Sequence, residues 1–334
     1  ERTDMAEWQA ALLADMAHEA ALTGGRELTS IFFGGGTPSL MPPALVEALI
    51  AQAGRHWRFA DDIEITLEAN PSSVEAANFA ALAQAGINRV SLGLQALDDS
   101  ALRFLGRLHD ASEGLAALAV AQRHFRRVSF DLIYARPDHT PESWEAELTS
   151  ALAFGTGHLS LYQLTIEPGT RFATLVREGR FTPLDDDAAG ALFGLTRDLT
   201  ARAGLPAYEI SNHARPGEES RHNLTYWRYG DYAGIGPGAH GRRGGLATVR
   251  HRKPENFLRA VEAQAHGIAE QRALGMAEQA SEAMLMGLRL TEGVDVKALA
   301  ARFGFAESDL VVPAKRAFYA GIGLLEDTGD RLTV

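Results

Sequence analysis

The feature that most constrains this chain is a rhythm in its first half. Short apolar, β-branched runs centred near residues 31, 65, 92, 131 and 162 alternate with stretches of helical periodicity. The runs at 28–33, 63–67, 89–95, 128–135 and 158–166 read as strands, and 5–22, 42–53, 112–124 and 141–154 read as helices. A further helix is capped at 71–73 and stopped by Gly86. Repetition at this spacing is that of βα units, and two architectures fit it: a doubly wound sheet or a (β/α) barrel. Polar residues gather where strands finish, at 34–37, Glu68, Gln95, Asp131 and Gln163. In either architecture that edge of the strands is where a site forms. The chain opens on a helix, so one strand and its loop are expected upstream of Glu1.

Beyond Pro168 the rhythm changes. Residues 185–203 read as one longer helix, 211–253 as a loop-rich stretch heavy in Gly, Arg, Tyr and His, and 254–266 as a helix. Helical patterns at 278–289, 295–303 and 310–320 precede a hairpin at 324–334, a winged-helix-like pattern. The expected organisation is a (β/α) unit over 1–170, an extension with a loop-rich region over 171–274, and a helical domain over 275–334. That last region holds six Lys/Arg against nine Asp/Glu, and the whole chain holds 32 against 43, a net charge of −11. An acidic balance disfavours a dedicated nucleic-acid binder. No apolar run approaches the roughly 18 residues of a membrane helix, and no signal-peptide pattern opens the chain. A cytoplasmic protein, not integral to a membrane, is expected. Peripheral membrane association stays open.

Several residues could carry chemistry. Gly34-Gly35-Gly36-Thr37-Pro38 follows a strand, and three glycines let a backbone approach a ligand and turn N–H donors toward an anion. It matches neither common nucleotide-phosphate pattern, and a tight βα turn explains it equally well. Glu68 and Asp131 could hold ribose hydroxyls, and Arg107 could grip a carboxylate bidentately. Singly, each is as readily a cap or a surface ion pair; grouped with Gln95 at one strand edge they are harder to dismiss. His222-Asn223-Leu224-Thr225-Tyr226-Trp227 combines an imidazole, which can ligate haem iron, with flat apolar rings, though aromatics more often anchor a loop. The segment 234–241 is a second glycine-rich loop, and Arg242, Arg243, Arg250, Arg252 and Lys253 form a basic stretch that could meet acidic ligand groups or be a solvated hairpin.

Taken in order, Phe33-Gly34-Gly35-Gly36-Thr37-Pro38-Ser39, Leu67-Glu68-Ala69-Asn70-Pro71, Ser91-Leu92-Gly93-Leu94-Gln95, Asp131-Leu132-Ile133-Tyr134 and the His222–Trp227 motif form a series. That series resembles the radical S-adenosylmethionine proteins related to oxygen-independent coproporphyrinogen III oxidase, and most of all their haem-chaperone branch. The resemblance implies a partial (β/α)6 barrel, lacking its first strand in this chain, with a C-terminal helical domain. It implies that Gly34, Gly35, Gly36, Thr37 and Glu68 contact S-adenosylmethionine. Gln95, Arg107 and Asp131 match positions that in the oxidase hold a second cofactor molecule, and His240 falls at a further contact. His222, Asn223, Tyr226 and Trp227 match a motif implicated in haem handling. The implied partners are haem, haem-accepting respiratory proteins and an electron donor. The family also builds a four-iron four-sulfur cluster on three cysteines in a loop after its first strand. This chain has no cysteine, so the cluster is expected only with that loop, upstream of Glu1. Besides a haem chaperone, two alternatives fit the residues: coproporphyrinogen oxidation through a 5′-deoxyadenosyl radical, and a non-radical barrel enzyme for an anionic ligand.

Overall fold

Six strands run side by side in chain order: β1 (Glu27–Phe33), β2 (Arg58–Ala69), β3 (Arg89–Gln95), β4 (Arg127–Tyr134), β5 (His158–Gln163) and β6 (Asn212–Ala214). The computed structural model describes residues 5–137 and 139–334. Glu1, upstream of which a further strand and the cysteine loop are expected, lies outside the described residues. β2 to β5 pair in parallel, and β6 closes against β5 antiparallel. A doubly wound sheet reverses its strand order at a switch point; this sheet does not, and it is the partial barrel of the two expected architectures. The helix Met5–Thr23 opens the described chain. Helices Ala111–His124 and Pro141–Ala153 separate the strands as expected, each started by a side-chain cap, Asp110 on Glu113 N–H and Thr140 on Ser143 N–H. The expected helix up to residue 84 is two pieces, Ser73–Ala76 and Phe79–Gln84.

The residues divide into two compact units, each described here by itself. One holds Phe32–Met41 and Ile65–Glu219. Its core lies on one face of β3 to β5, where Val90, Leu92, Phe130, Leu132 and Leu159 are fully buried beside Trp144 and Leu148. Trp144 stacks on Tyr134 at 5.0 Å between ring centroids, and its indole N–H donates to Thr196 Oγ1 at 2.8 Å. Without that acceptor the buried N–H would cost about 1–3 kcal/mol.

The other unit holds residues up to Ile31, Pro42–Glu64 and Ser220–Val334. The stretch 211–253, expected as loop, gives β6 to the first unit and is ordered in this one into a helix Arg221–Trp227 and a hairpin of β7 (His240–Arg243) with β8 (Leu246–Arg250). β9 (Ile268–Ala273) completes that sheet in the order β7-β8-β9. The glycines that suggested a loop are demanded by close packing. A Cβ on Gly234 would collide with the His240 backbone, and one on Gly241 would lie 2.6 Å from Thr248 Oγ1. The C-terminal part gives the helices Met276–Gly287, Val296–Phe303 and Pro313–Gly321, and a small sheet of β10 (Val294–Asp295), β12 (Arg331–Thr333) and β11 (Glu326–Asp327). Helices followed by a hairpin were expected there.

The basic stretch is neither a ligand surface nor a solvated hairpin at Arg243 and Arg250. Arg250 is fully buried and Arg243 nearly so, both on carboxylates of the first helix. Arg250 donates to Asp15 at 3.1 and 3.3 Å and to Glu19 at 2.6 Å; Arg243 holds Glu19 as well. The N–H groups of Gly236 and Gly267 each donate to Asp15 at 3.0 Å. Burial alone would raise the Glu19 pKa, but the bonds from Arg243 and Arg250 outweigh it and hold the carboxyl below its ordinary value. A lowered carboxyl contributes stability above its unfolded pKa that is lost as pH falls through the folded one. Arg250→Met should lower unfolding stability by about 3–5 kcal/mol at pH 7, because two buried carboxylates lose a partner. Urea denaturation followed by circular dichroism checks it, and a loss that stays as large at pH 4 would count against this origin.

Candidate functional site

The first unit contains a cavity of about 250 Å³, lined by Gly36, Thr37, Pro38, Glu68, Ala69, Asn70, Ser91, Gly93, Gln95, Arg107, Asp131, Ser160 and Tyr162. Side chains alternate across a strand. Ser91, Gly93 and Gln95 therefore share one face of β3 while Val90, Leu92 and Leu94 point into the core. The register carries the row across the sheet: Glu68 pairs with Ser91, Asp131 with Ser160, and Ile133 with Tyr162. Thus Thr37, Gly36, Glu68, Gln95, Arg107 and Asp131, expected from sequence as one constellation, line one cavity. Gly34 and Gly35 are in the same loop but do not line it, and His240 lies in the other unit, exposed at the start of β7.

Geometry refines the glycine loop. Gly35 and Gly36 have φ of +78° and +55°, backbone that glycine adopts without a Cβ penalty. A Cβ on Gly34 would lie 2.6 Å from the Phe32 ring. The Gly35 N–H, expected to face an incoming anion, donates to Glu68 Oε2 at 3.1 Å. Glu68 therefore pins the loop with one oxygen while its side chain still reaches the cavity wall.

Asp131 is the electrostatic centre of the floor. Its Oδ2 accepts a hydrogen bond from the Gln95 amide, and Gln95 holds a left-handed φ of +71° to make it. Asp131 Oδ1 is shut off from solvent with no partner among the described residues. Desolvation pushes the carboxyl up to about 7, against the opposing pull of Arg107 and Gln95. Burial likewise raises the Tyr162 phenol, opposed by a hydrogen bond with Ser160 and reinforced by the acids Asp131, Glu209 and Glu68. Sequence reasoning missed Ser160 and Tyr162. The alternation of His158-Leu159-Ser160-Leu161-Tyr162 carried the signal, since only the leucines of that run fit the core face.

The His222 motif lies on the helix Arg221–Trp227, capped by Ser220, which accepts from Asn223 N–H at 3.3 Å. It is not a loop. The His222 N–H donates to Glu64 Oε1 at 3.2 Å, and the His222 ring meets Tyr226 edge-on at 4.7 Å. Tyr226 in turn meets Tyr232 at 4.5 Å, and Arg289 covers one Trp227 face at 4.4 Å. Burial pushes the Tyr226 phenol up to about 12. Trp227 Nε1 is buried without a hydrogen-bond partner among the described residues, and the ring lines a second cavity of about 230 Å³ with Arg228, Glu292, Arg302 and Arg331 among its walls.

The Asp131 environment has a measurable consequence. Its carboxyl keeps a proton to about pH 7 when folded, against an ordinary value of 3.8. The folded chain binds the extra proton between those values, so this group lowers stability as pH rises across the window. Asp131→Asn should raise the thermal midpoint of the ligand-free protein at pH 8 and give little gain at pH 4.5. A gain independent of pH would contradict the assignment.

Two family models match this chain. Residues 6–150 match the radical SAM superfamily and residues 276–334 the HemN C-terminal domain. The chain is 37% identical over 310 residues to Heme chaperone HemW of Escherichia coli, covering 90% of this chain and 79% of that one. It is 34% identical over 328 residues to Heme chaperone HemW of Mycobacterium tuberculosis H37Rv, covering 98% and 82%. It is also 43% identical over 282 residues to the mitochondrial radical S-adenosyl methionine domain-containing protein 1 of Mus musculus, covering 82% of this chain. The chain spans only 64% of the length of that relative. Its fold matches the structure of coproporphyrinogen III oxidase (HemN) from Escherichia coli with a TM-score of 0.80 at 22% identity, over 100% of this chain and 81% of that one. The chain belongs to the radical SAM superfamily and, within it, to the HemW family.

Proposed function

We propose that this chain is a haem chaperone on a radical SAM scaffold, binding haem and passing it to respiratory haem proteins. The observation that carries the reading is the match over nine tenths of the chain to relatives named as haem chaperones. Haem is the cargo. The helix Arg221–Trp227 offers His222 for the iron, with Asn223, Tyr226 and Trp227 around it, and the guanidinium groups near Trp227 supply charge that propionates seek. No described helix is long and apolar enough to cross a membrane, and the reading keeps a cytoplasmic location with delivery at the membrane surface.

S-adenosylmethionine fits the first cavity. An orphaned carboxylate oxygen, a glycine-lined rim and the paired acids and arginine match a ligand with a sulfonium, an amine, a carboxylate and ribose hydroxyls. Gly34, Gly35, Gly36 and Thr37 would shape the rim, Glu68 would take hydroxyls with the oxygen not bonded to Gly35, and Gln95, Arg107 and Asp131 would form the floor. Bound there, the cofactor is a source of a carbon radical when reduced by one electron. The iron–sulfur cluster that delivers such an electron does not fit these residues, since the 334 from Glu1 to Val334 contain no thiolate. The chaperone reading takes no step through it.

Two measurements test this. His222→Ala should shift the Soret band of the haem complex and weaken haem binding; an unaltered spectrum and affinity would remove His222 from the site. Glu68→Ala should weaken S-adenosylmethionine binding about tenfold or more, the scale of one charge-assisted hydrogen bond, while circular dichroism stays unchanged. Equal binding would return Glu68 to the role of loop anchor alone.

A further inference from the structure

The helix Arg221–Trp227 ends in a turn that its sequence does not favour. The Gly230 N–H donates to the Thr225 carbonyl at 2.7 Å and the Tyr229 N–H to the Tyr226 carbonyl at 2.9 Å. In a turn bonded this way the residue after the C-cap takes left-handed backbone, and glycine is usual there. Here that residue is Tyr229, with φ of +54°. A bulky side chain at positive φ costs free energy and persists only where its surroundings over-determine it.

The surroundings of Tyr229 do so. The residue is 2% exposed. Its hydroxyl donates to Glu282 Oε2 at 2.6 Å, its carbonyl accepts from Arg302 Nη2 at 2.8 Å, and Phe303 meets its ring edge-on at 6.0 Å. These three partners lie on the helices Met276–Gly287 and Val296–Phe303, inside the segment matched by the HemN C-terminal domain. Ala280, Ala283 and Leu299 of the same helices share one buried cluster with Tyr229. Side chains also connect Tyr229 to the haem motif. The Arg242 guanidinium covers the Tyr229 ring at 3.6 Å and lies 5.4 Å from the Tyr232 ring. Tyr232 meets Tyr226, and Tyr226 meets His222. A helix of seven residues does not hold itself in water, so what grips its ends sets its attitude.

We propose that Tyr229 is a positioning residue for the haem motif: anchored among the C-terminal helices, it fixes the end of the helix Arg221–Trp227 and with it the place from which His222 reaches haem. Glycine would relieve the backbone but release the anchor, which is why a tyrosine stands where the turn favours glycine. The C-terminal domain thereby acts on the haem site through Tyr229. The inference rests on the reading that His222 ligates haem.

The test is titration of the full chain with ferric haem, read by the Soret band. Turn chemistry alone predicts that Tyr229→Gly leaves haem binding unchanged or better. The anchor predicts a loss of about tenfold and a shifted Soret band. Tyr229→Phe, which keeps the ring, should stay within about twofold of the unaltered chain. Tyr229→Leu keeps buried volume and serves where the glycine variant fails to fold; with no planar face for Arg242 it should lose about fivefold. In a His222→Ala chain these losses should vanish, because Tyr229 acts through His222. Unchanged haem binding in the folded glycine variant, or in the leucine variant where glycine does not fold, would overturn the proposal, as would equal losses with and without His222. A His222→Ala chain that binds haem as the unaltered chain does would instead remove the haem reading. Positioning is then judged without ligand by NMR. The His222 ring protons, shifted by the Tyr226 ring beside them, should move in Tyr229→Leu, and unmoved resonances would overturn the anchor.

Discussion

The parity of three adjacent parallel strands governs this molecule's chemistry. On β3, β4 and β5, one set of side chains enters the core and the other must face away from it, because successive residues point to opposite sides of a sheet. Val90, Leu92, Phe130, Leu132, Leu159 and Leu161 fill the first set. Ser91, Gln95, Asp131, Ser160 and Tyr162 belong to the second and line one cavity. A one-residue slip in register would move the whole polar row into the core. Burial of the leucines and phenylalanines therefore holds the polar floor in place, although it contributes no atom to it.

The floor itself carries one acid, Asp131, in a desolvated place. Desolvation favours the neutral form of Asp131, and Arg107 and Gln95 oppose that shift only in part. The glycine loop is tied to the same floor through Glu68, whose carboxylate holds the Gly35 N–H. A site of this kind has unmet hydrogen-bonding capacity at Asp131, and unmet capacity in a buried place is what a polar ligand relieves.

Charge plays another part in the unit that holds the first helix. Asp15 and Glu19 are fully buried, and each is compensated by guanidinium groups and, for Asp15, by two backbone N–H donors. Such a network specifies how the helix and the hairpin of β7 and β8 meet more than it adds net stability, since desolvation offsets much of the attraction. In the sequence, Arg243 and Arg250 look like part of a surface run with Arg252 and Lys253. Position explains why they differ: Arg243 and Arg250 lie within the strands of the hairpin and are buried, whereas Arg252 and Lys253 lie beyond the strand end and are exposed.

The sequence by itself determined the strand-and-helix order, the C-terminal helices with their hairpin, and a constellation of Glu68, Gln95, Arg107 and Asp131, because periodicity and strand-end polarity are local properties. It also carried the motif at His222, but read it as a loop, since a short capped helix dense in aromatics has no long periodic signal. Only the tertiary structure decided that the sheet is sequentially ordered, that the Gly35 N–H faces Glu68, that Ser160 and Tyr162 join the floor, and that Arg243 and Arg250 are buried. Each of those facts depends on residues far apart in the chain meeting at one register or one buried point, and no local pattern encodes such a meeting.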